Sequence, residues 1–478
     1  MPLKRQSAIP LYRQIQDYIA EKIKNGEWAS GAKLPSQRAL ASFFHVNRST
    51  IITALESLAA QGLIEGRHGG GTRVINSTWS LMAQKKATDW GTYVEAGRYK
   101  PNLPMIQKIN QAEFNPRVIR MGTGELSPEL LPSEKFTELV KAISPKLLSL
   151  GYQEPKGALH LREALSRHLK TDGINASPSS ILVVSGALQA LQLISSGLLD
   201  RGSSLLLAKP SYLYSVHVFQ SLGMRFIGLP SDHEGLQPER LAACKRKYHG
   251  VILYTIPSFD NPTGALMPEK RRQQLLSVCQ QEQLPIIEDD VYRELWLDAP
   301  PPPSLKSMDR SGNVLYVGSM SKVLSAGLRI GWIVGPEAVI ERLADIKMQS
   351  DYGSSSLAQL AAAECLRTGL YQEHAAFVRK QLRMRRNHLV DLLHTYFADL
   401  GQWQIPSGGF YIWLKLLPAI DPKLLFKEAL RHNVLINPGV LYDRSARRYL
   451  RLSYAYASLQ EMEQAMQRLR KIVVELAQ

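Results

Sequence analysis

From Gly122 onward, short apolar runs rich in β-branched residues alternate with stretches of helical periodicity, and this alternation constrains the fold more than any other feature. Strands that alternate with helices predict a mainly parallel sheet with helices on both faces. The strands with unusual residues at their ends are predicted at 181–184, 204–207, 251–254, 285–287 and 314–317. Because ligands bind beyond the carboxyl ends of such strands, we expect the residues that follow them to meet at one site.

The last of these strands introduces the most reactive group. Ser319 and Lys322 follow the strand at once, and Arg329 comes seven residues after the lysine. A partly desolvated lysine can attack a carbonyl and form a Schiff base, and the guanidinium fork of an arginine matches a phosphate. The alternative is a surface lysine in a loop rich in serine and glycine.

The other strand ends supply partners for this lysine, and together they fit a pyridine aldehyde phosphate held as a Schiff base on Lys322. Asp289 is placed to face the ring nitrogen and keep it protonated, which makes the ring an electron sink. Tyr292 and Asn261 are placed to donate hydrogen bonds to the ring oxygen, and Tyr212 offers a flat face for stacking.

The phosphate of such a ligand needs an anion site. Gly186 and Ala187 open a predicted helix whose amino end, together with Ser319 and Arg329, would receive the phosphate. Each residue of the constellation also has a structural alternative as a turn former, a helix cap or a core side chain. Their arrival at successive strand ends favours the ligand site.

The amino-terminal part of the chain has a different pattern. Helices are predicted at 9–25, 36–44 and 48–61, followed by a basic, glycine-rich hairpin at 63–75. In the second helix Leu40 and Phe43 are expected to face inward. Two short helices joined by a tight turn are typical of a helix-turn-helix, whose second helix enters the major groove of DNA. The alternative is a structural three-helix unit with a solvated basic face.

Length and charge agree with a nucleic-acid partner. A chain of 478 residues predicts two or more domains, and its net charge of +16 suggests an anionic partner. The three cysteines lack the spacing of a disulfide framework or a zinc site, so no metal is predicted. No apolar run reaches the length of a membrane helix, and we therefore expect a cytoplasmic protein with no membrane partner.

The residues LPSQRALASFFHVNRSTIITALESLAAQGLIEGRHGGGTRV resemble the winged-helix DNA-binding domain of the GntR family of bacterial regulators. This resemblance implies a double-stranded DNA operator as partner. The DNA contacts that it implies are Ser36, Arg38, Arg48, Ser49, Thr50, His68 and Gly69.

The remainder resembles a class I aminotransferase of the pyridoxal-phosphate-dependent aspartate aminotransferase fold, through GYQEPKGALHLREAL, NPTG, EDDVY, SMSK, LRIGW, SGGFYIW and LRLSYA. The whole chain resembles the MocR group of GntR regulators. The resemblance implies a head-to-tail homodimer in which Tyr152 reaches the partner's phosphate, and Arg451 as the bidentate ligand of an amino acid's carboxylate. The alternative for Arg451 is a strand residue paired with a surface acid.

One departure from that family concerns the first strand-helix turn. Many class I enzymes carry a Ser/Thr or Gln side chain where this chain has Ala187 and Leu188, so phosphate binding would depend on backbone amides, Ser319 and Arg329. This departure bears more on catalysis than on cofactor binding. Further along the chain, three residues are expected on solvated helix surface: His374, Arg385 and Arg386.

These observations predict a winged helix-turn-helix domain at 1–76, a linker at 77–116 and an α/β aminotransferase-like domain at 117–478. The last comprises a large part at about 117–372 and a smaller carboxy-terminal α/β part at about 373–478 that closes over the ligand. The function predicted is a transcription regulator that binds pyridoxal 5'-phosphate and senses an amine, an amino acid or the cofactor itself. The alternatives are an active aminotransferase with a DNA-binding module, and a regulator whose large domain only dimerises.

Overall fold

The structure is a computed structural model that describes residues 3, 9–67, 71–75, 90–97, 101–146 and 151–478. The chain divides into two units, Met1–Arg98 and Tyr99–Gln478. No helix in the described ranges is both long enough and apolar enough to cross a bilayer.

The first unit contains a three-helix bundle with a β-hairpin. The helices of this bundle are Leu11–Lys24, Gln37–Phe44 and Arg48–Ala60, and the hairpin strands are Ile64–Arg67 and Gly71–Val74, paired antiparallel. The helices form because apolar residues recur at helical spacing, as Ile15, Ile19 and Ile23 do along the first helix, where all three are buried. This arrangement confirms the predicted helix-turn-helix followed by a wing.

The second helix differs in one detail from the prediction. Phe44 is buried and Phe43 is 58% exposed, so the expectation that Phe43 faces inward is wrong. The physical reason is helical spacing: Phe44 follows Leu40 by four residues and therefore shares its buried face. The helix begins after Ser36, whose hydroxyl accepts a hydrogen bond from the backbone N–H of Ala39 at 3.2 Å.

The second unit is built on an eight-stranded sheet. In spatial order its strands are Ile181–Val184, Gly331–Val334, Val314–Ser319, Ile286–Asp289, Gly250–Thr255, Ser204–Lys209, Arg225–Asp232 and Gly235–Leu236. Strand Gly331–Val334 is antiparallel to both neighbours, and the terminal strand Gly235–Leu236 is antiparallel to the strand beside it. The five strands predicted from sequence are all present and run in one direction, so their carboxyl ends lie along one edge.

Helices cover both faces of this sheet, and several of its strands are accordingly buried along their whole length, as Ile181–Val184 and Val314–Ser319 are. The α-helices of the unit are Pro104–Ala112, Ser133–Ile143, Leu159–Thr171, Ala187–Gly197, Val218–Ser221, Leu241–Tyr248, Glu269–Gln281, Leu305–Met308, Glu337–Asp351, Ser356–Thr368, Leu370–Phe397, Pro422–Arg431 and Leu459–Ala477. The alternation confirms the predicted α/β aminotransferase-like fold.

A smaller antiparallel sheet follows near the carboxyl end. Its strands are, in order, Gly401–Gln402, Tyr411–Leu416, Tyr449–Ser453 and Asn437–Pro438. A separate parallel pair joins Ile119–Arg120 to Val434–Leu435. Residues 119–124 are thereby held beside the carboxy-terminal strands, and this places them at the site described below.

The segment predicted as a linker contains ordered helix. Residues 77–89 and 98–100 lie outside the described residues, but Trp90–Ala96 and Pro104–Ala112 are helical. Ile109 and Ala112 are buried in the main core of the second unit. The part from Pro104 onward therefore belongs to that unit, because the spacing of Ile109 and Ala112 gives the helix an apolar face that the core covers.

The expectation that His374, Arg385 and Arg386 lie on solvated surface is wrong. All three are at most 6% exposed on helix Leu370–Phe397. Arg386 donates to both carboxylate oxygens of Asp298, at 2.6 and 2.9 Å, and Arg385 pairs with Glu129. The guanidinium groups are buried because carboxylates and carbonyls satisfy them, which residue type alone does not reveal.

Candidate functional site

Residues that follow the parallel strands line one cavity of about 410 Å³ in the second unit. Of the residues predicted for cofactor and effector, those that line it are Lys322, Asp289, Tyr292, Asn261, Tyr212, Ala187, Ser319, Arg329 and Arg451. Gly186 immediately precedes Ala187 at the amino end of helix Ala187–Gly197. Tyr152 does not line the cavity.

The lysine amine points into this cavity. A short 3-10 turn, Met320–Lys322, follows strand Val314–Ser319 and presents Lys322. Its Nζ donates a hydrogen bond to the carbonyl oxygen of Gly124 at 2.6 Å and lies 5.8 Å from the ring centroid of Tyr292. The amine therefore has a carbonyl and aromatic faces around it, in place of the open loop of the alternative interpretation.

Asp289 ends strand Ile286–Asp289 and is 3% exposed. The hydroxyl of Tyr254 donates to its Oδ2 at 2.7 Å, whereas its Oδ1 is buried with no hydrogen-bond partner. Burial raises the pKa of Asp289 to about 6, against the opposing effects of hydrogen bonds from the Tyr254 hydroxyl and the Val291 backbone and of the Lys322 charge. The site thus holds an acceptor that lacks a donor.

The opposite end of the cavity is suited to an anion. Gly186 has φ +83°, and a Cβ there would lie 2.6 Å from Nη2 of Arg329. That Nη2 donates to the carbonyl of Ser185 at 2.6 Å, which places the guanidinium beside the amino end of helix Ala187–Gly197. A guanidinium and free backbone N–H groups at a helix start are the usual elements of a phosphate site.

Two serines lie at the same end. Ser319 donates from Oγ to the carbonyl of Ile330 at 3.1 Å, and this oxygen accepts the backbone N–H of Ser321. The hydroxyl of Ser321 is buried without a partner. The sequence shows Ser321 beside Lys322, but it does not indicate which of the two serines keeps a free hydroxyl.

Arg451 extends from strand Tyr449–Ser453 into the cavity and is 5% exposed. It donates to the side-chain oxygen of Asn261 at 2.8 Å and to the carbonyl of Gly122 at 2.6 Å. Its guanidinium carbon lies 4.0 Å from the ring centroid of Tyr411 and 4.9 Å from that of Tyr442. Arg451 is therefore a buried cation bound by neutral groups.

The remaining aromatic residues complete the wall. The hydroxyl of Tyr292 lies 3.1 Å from that of Tyr411, and burial raises the pKa of Tyr212. Sequence reasoning assigned no role to Tyr411, although it follows the quoted glycines of SGGFYIW. It also missed Tyr442 and Glu113, which line the cavity without any local motif.

Tyr152 is 84% exposed, and its ring centroid lies 5.1 Å from that of Tyr352, which is also exposed. The role predicted for Tyr152 concerns a second copy of the chain, and it stays a prediction.

In the first unit the predicted DNA contacts form part of the helix-turn-helix surface. Ser36, Arg38, Arg48 and Ser49 are exposed, and Thr50 is half-buried. The guanidinium Nε of Arg48 donates to the side-chain oxygen of Gln37 at 3.0 Å, which joins the starts of the two helices. His68 and Gly69 lie outside the described residues.

Comparison with known proteins gives both units a family. Residues 11–74 match the family described as bacterial regulatory proteins, gntR family, and residues 116–469 match aminotransferase class I and II. HTH-type transcriptional regulator YdfD of Bacillus subtilis (strain 168) is 55% identical over 99% of this chain and 98% of its own length. NorG of Staphylococcus aureus (strain USA300), also named an HTH-type transcriptional regulator, is 33% identical over 91% of this chain and 98% of its own.

The chain belongs to the MocR group of the GntR family. Solved structures agree with the fold of the larger unit of this MocR-group chain. LysN, an α-aminoadipate aminotransferase of Thermus thermophilus, is 28% identical with a TM-score of 0.74, over 81% of this chain and 99% of that one. Kynurenine aminotransferase of Pyrococcus horikoshii is also 28% identical with a TM-score of 0.74, over 79% and 95%.

Proposed function

We propose that this MocR-group chain is a DNA-binding transcription regulator that holds pyridoxal phosphate on Lys322 and responds to a primary amine or amino acid. The observation that carries the proposal is the pairing of two groups in one cavity. These are the amine of Lys322 and the buried Oδ1 of Asp289, which has no donor of its own.

The groups around the cavity match the parts of that cofactor. Lys322 would hold its aldehyde carbon through a Schiff base, and Asp289 Oδ1 would accept the N–H of its ring. The phosphate would meet the amino end of helix Ala187–Gly197 with Ser321 and Arg329. Pyridoxal phosphate bound there supplies an aldehyde that reacts reversibly with primary amines.

Two related structures support this assignment through their ligands. The LysN structure contains N-(5'-phosphopyridoxyl)-L-leucine, and the Pyrococcus horikoshii structure contains PMP. Those ligands belong to those proteins, and the likeness of fold is the reason to expect a similar compound here.

The sensing step assigns roles to residues of this chain. Arg451 would bind an effector's carboxylate by exchanging its bonds to Asn261 and Gly122 for bonds to the ligand. Such an exchange changes the contacts between residue 122 and strand Tyr449–Ser453. The change in DNA-binding free energy cannot exceed the difference in the ligand's binding free energy between the state in which Arg451 bonds to Asn261 and Gly122 and the state in which it bonds to the ligand.

DNA binding would use the helix-turn-helix. Arg38, Arg48 and Ser49 present exposed polar groups at its surface, so they are placed to meet phosphates and base edges. A head-to-tail homodimer completes the proposal: Tyr152 and Tyr352 are exposed aromatic residues that a second copy would cover.

The test uses the full-length protein incubated with pyridoxal phosphate and then freed of excess. We expect an absorbance band of a Schiff base that Lys322→Ala lacks and that Lys423→Ala, at an exposed helix position, retains. DNA fragments selected from a random pool should bind the loaded protein, and an amine that changes the band should change DNA affinity. An unchanged spectrum in Lys322→Ala would remove the cofactor claim and leave DNA binding standing.

A second candidate function is favoured by the completeness of the cavity. Lys322, Asp289, Asn261 and Arg451 all line this cavity, and the solved relatives are named aminotransferases. Multiple-turnover transfer from an amino acid to a 2-oxo acid separates the two candidates. A regulator should complete at most one turnover per cofactor, whereas sustained product formation would establish the enzyme.

A further inference from the structure

The helix Pro104–Ala112, with Glu113 directly after it, forms one wall of the cavity; we call it the pocket helix. Ile106, Ile109, Asn110 and Glu113 line the same cavity as Lys322. Their spacing of three and four residues puts them on one face of the helix. This wall was predicted as linker, so none of its side chains was assigned to ligand binding.

Glu113 is bound to the segment that contacts both reactive cations. Its Oε1 accepts a hydrogen bond from the hydroxyl of Thr123 at 2.8 Å. The carbonyls on either side of Thr123 bind the two cations: that of Gly122 accepts from Arg451 and that of Gly124 accepts from Lys322, each at 2.6 Å. The carboxylate of Glu113 is thereby positioned next to the place where an effector's amine and carboxylate would lie.

Glu113 forms no ion pair with any cation among the described residues. The basic side chains that line the cavity are Lys322, Arg329 and Arg451, and the acidic ones are Asp289 and Glu113. The proposed function uses Lys322 for the aldehyde, Arg329 for the phosphate, Arg451 for a carboxylate and Asp289 for the ring nitrogen. Glu113 has only the neutral Thr123 hydroxyl as a side-chain hydrogen-bond partner among the described residues.

A half-buried carboxylate gains from a cation that brings its own hydrogen-bond donors. We propose, on the basis of the proposed function, that Glu113 binds a second cationic group of the effector, which is therefore an amino acid with an amine in its side chain. Arg451 binds the carboxylate of this amino acid, and its α-amine lies at Lys322. Glu113 accepts a hydrogen bond from its side-chain ammonium. Asn110, exposed on the same helix face, adds an amide oxygen beside it.

The test compares pairs of ligands that differ only in the terminal amine. The pairs are L-2,4-diaminobutyrate with L-2-aminobutyrate, L-ornithine with L-norvaline, and L-lysine with L-norleucine. Isothermal titration calorimetry on the full-length protein loaded with pyridoxal phosphate measures each dissociation constant. We expect at least one diamino acid to bind roughly ten-fold or more tightly than its partner, as a charge-assisted hydrogen bond provides.

Variants of the chain assign the preference to the residue. Glu113→Gln keeps the shape and removes the charge, so it should bring each pair to within about two-fold. Glu125→Gln, at an exposed position outside the cavity, should keep the wild-type preference. Equal affinities within every pair for the wild type would overturn the proposal, and so would a preference that survives in Glu113→Gln.

Diamines lacking a carboxylate form the last arm. If putrescine or cadaverine bound as tightly as the diamino acids, the assignment to an amino acid would be wrong. Failure of the proposed function has a different signature, namely no Schiff-base absorbance that depends on Lys322. Calorimetry needs no chromophore, so the two failures are distinguishable.

Discussion

The hydroxyl of Tyr254 donates a hydrogen bond to Oδ2 of Asp289 at 2.7 Å and leaves Oδ1 of the same carboxylate buried without a donor. A buried acceptor without a donor costs free energy, and a ligand that supplies the donor is one reason for such a group to persist. Folding alone gives no reason to bury a carboxylate with one oxygen unbonded, so this oxygen points to a bound ligand.

Asp289 gives a pH dependence with a definite sign. Burial raises its pKa to about 6, and only the ionised carboxylate favours a protonated ring nitrogen. We expect affinity for pyridoxal phosphate to fall as the pH falls through about 6, and Asp289→Asn to bind roughly ten-fold more weakly without that step. Equilibrium dialysis between pH 5 and 8 measures both.

Tyr254→Phe provides the control for this pH dependence. The hydrogen bond from Tyr254 favours the ionised form of Asp289. Loss of this bond should therefore move the midpoint of the pH-dependent cofactor binding to higher pH. A midpoint unaffected by both substitutions would assign the titration to another group. The same raised pKa opposes folding at neutral pH: its cost is absent below the unfolded value of 3.8 and complete above about 6.

Gly186→Ala tests the anion end of the cavity. The glycine has φ +83°, and the new Cβ would lie 2.6 Å from Nη2 of Arg329. We expect a loss of about 1–2 kcal/mol in the free energy of unfolding and weaker binding of pyridoxal phosphate, because the guanidinium must move. Urea unfolding and equilibrium dialysis measure the two effects.

Gly202→Ala is the matched control for that substitution. Gly202 has φ +90° with nothing within 4 Å of an added Cβ. It should cost roughly 1 kcal/mol through backbone strain alone and leave cofactor affinity unchanged. Equal cofactor affinities for both variants would show that Arg329 can bind the phosphate even with a Cβ at residue 186.

Arg48→Ala tests the DNA surface. Arg48 is exposed and bonds to Gln37 at 3.0 Å, so we expect a change in unfolding free energy within about 0.5 kcal/mol. If Arg48 contacts a phosphate, affinity for every DNA sequence should fall and the salt slope should decrease by about 1. Fluorescence anisotropy at several salt concentrations measures this.

Lys24→Ala is the control, because it removes the same charge from the first helix, and it should retain most of the DNA affinity. Equal losses of affinity in the two variants would indicate a general charge effect.

The elements recovered from the sequence are those with a strong local signal. The five strands predicted from sequence are short, mainly apolar runs, and polar or charged residues such as Asp289 and Lys322 come within a few positions of their ends. Because parallel strands end at one edge, convergence follows from topology alone. The wing and the recognition helix were likewise visible from turn residues and helical spacing.

What the sequence did not reveal depends on contacts between distant segments. Glu113 is placed by a hydrogen bond to Thr123 and by burial of Ile109, and neither is a local pattern. Arg386 was assigned to the surface because charged residues usually lie there, whereas its guanidinium is buried and bonded to the half-exposed Asp298. Phe43 and Phe44 differ by one position, which is within the uncertainty of helical phase in an eight-residue helix.

The ion pair between the buried Arg386 and Asp298 gives a final prediction. Its two bonds to Asp298 and a third to the carbonyl of Pro406 at 2.9 Å form in a site where the arginine side chain is 7% exposed and the acid 51% exposed. Arg386→Met should lower the free energy of unfolding by about 2 kcal/mol, because the Pro406 carbonyl is left unpaired while Asp298 can hydrate. Asp298→Ala should cost more, since it leaves a buried guanidinium without its counter-charge. Urea unfolding of both variants measures the order.

The pair of Arg470 and Asp399 has the same two-bond geometry, at 2.7 and 3.1 Å, but its side chains are 35% and 62% exposed. Water and salt screen this pair, so Arg470→Met should lower the free energy of unfolding much less than Arg386→Met does. Added salt should reduce the effect of Arg470→Met and leave that of Arg386→Met unchanged. If the two arginine substitutions were equally costly, the fork geometry would be the cause of the stabilisation. If Arg386→Met alone is costly, burial is the cause, which is the result that the contacts of Arg386 predict.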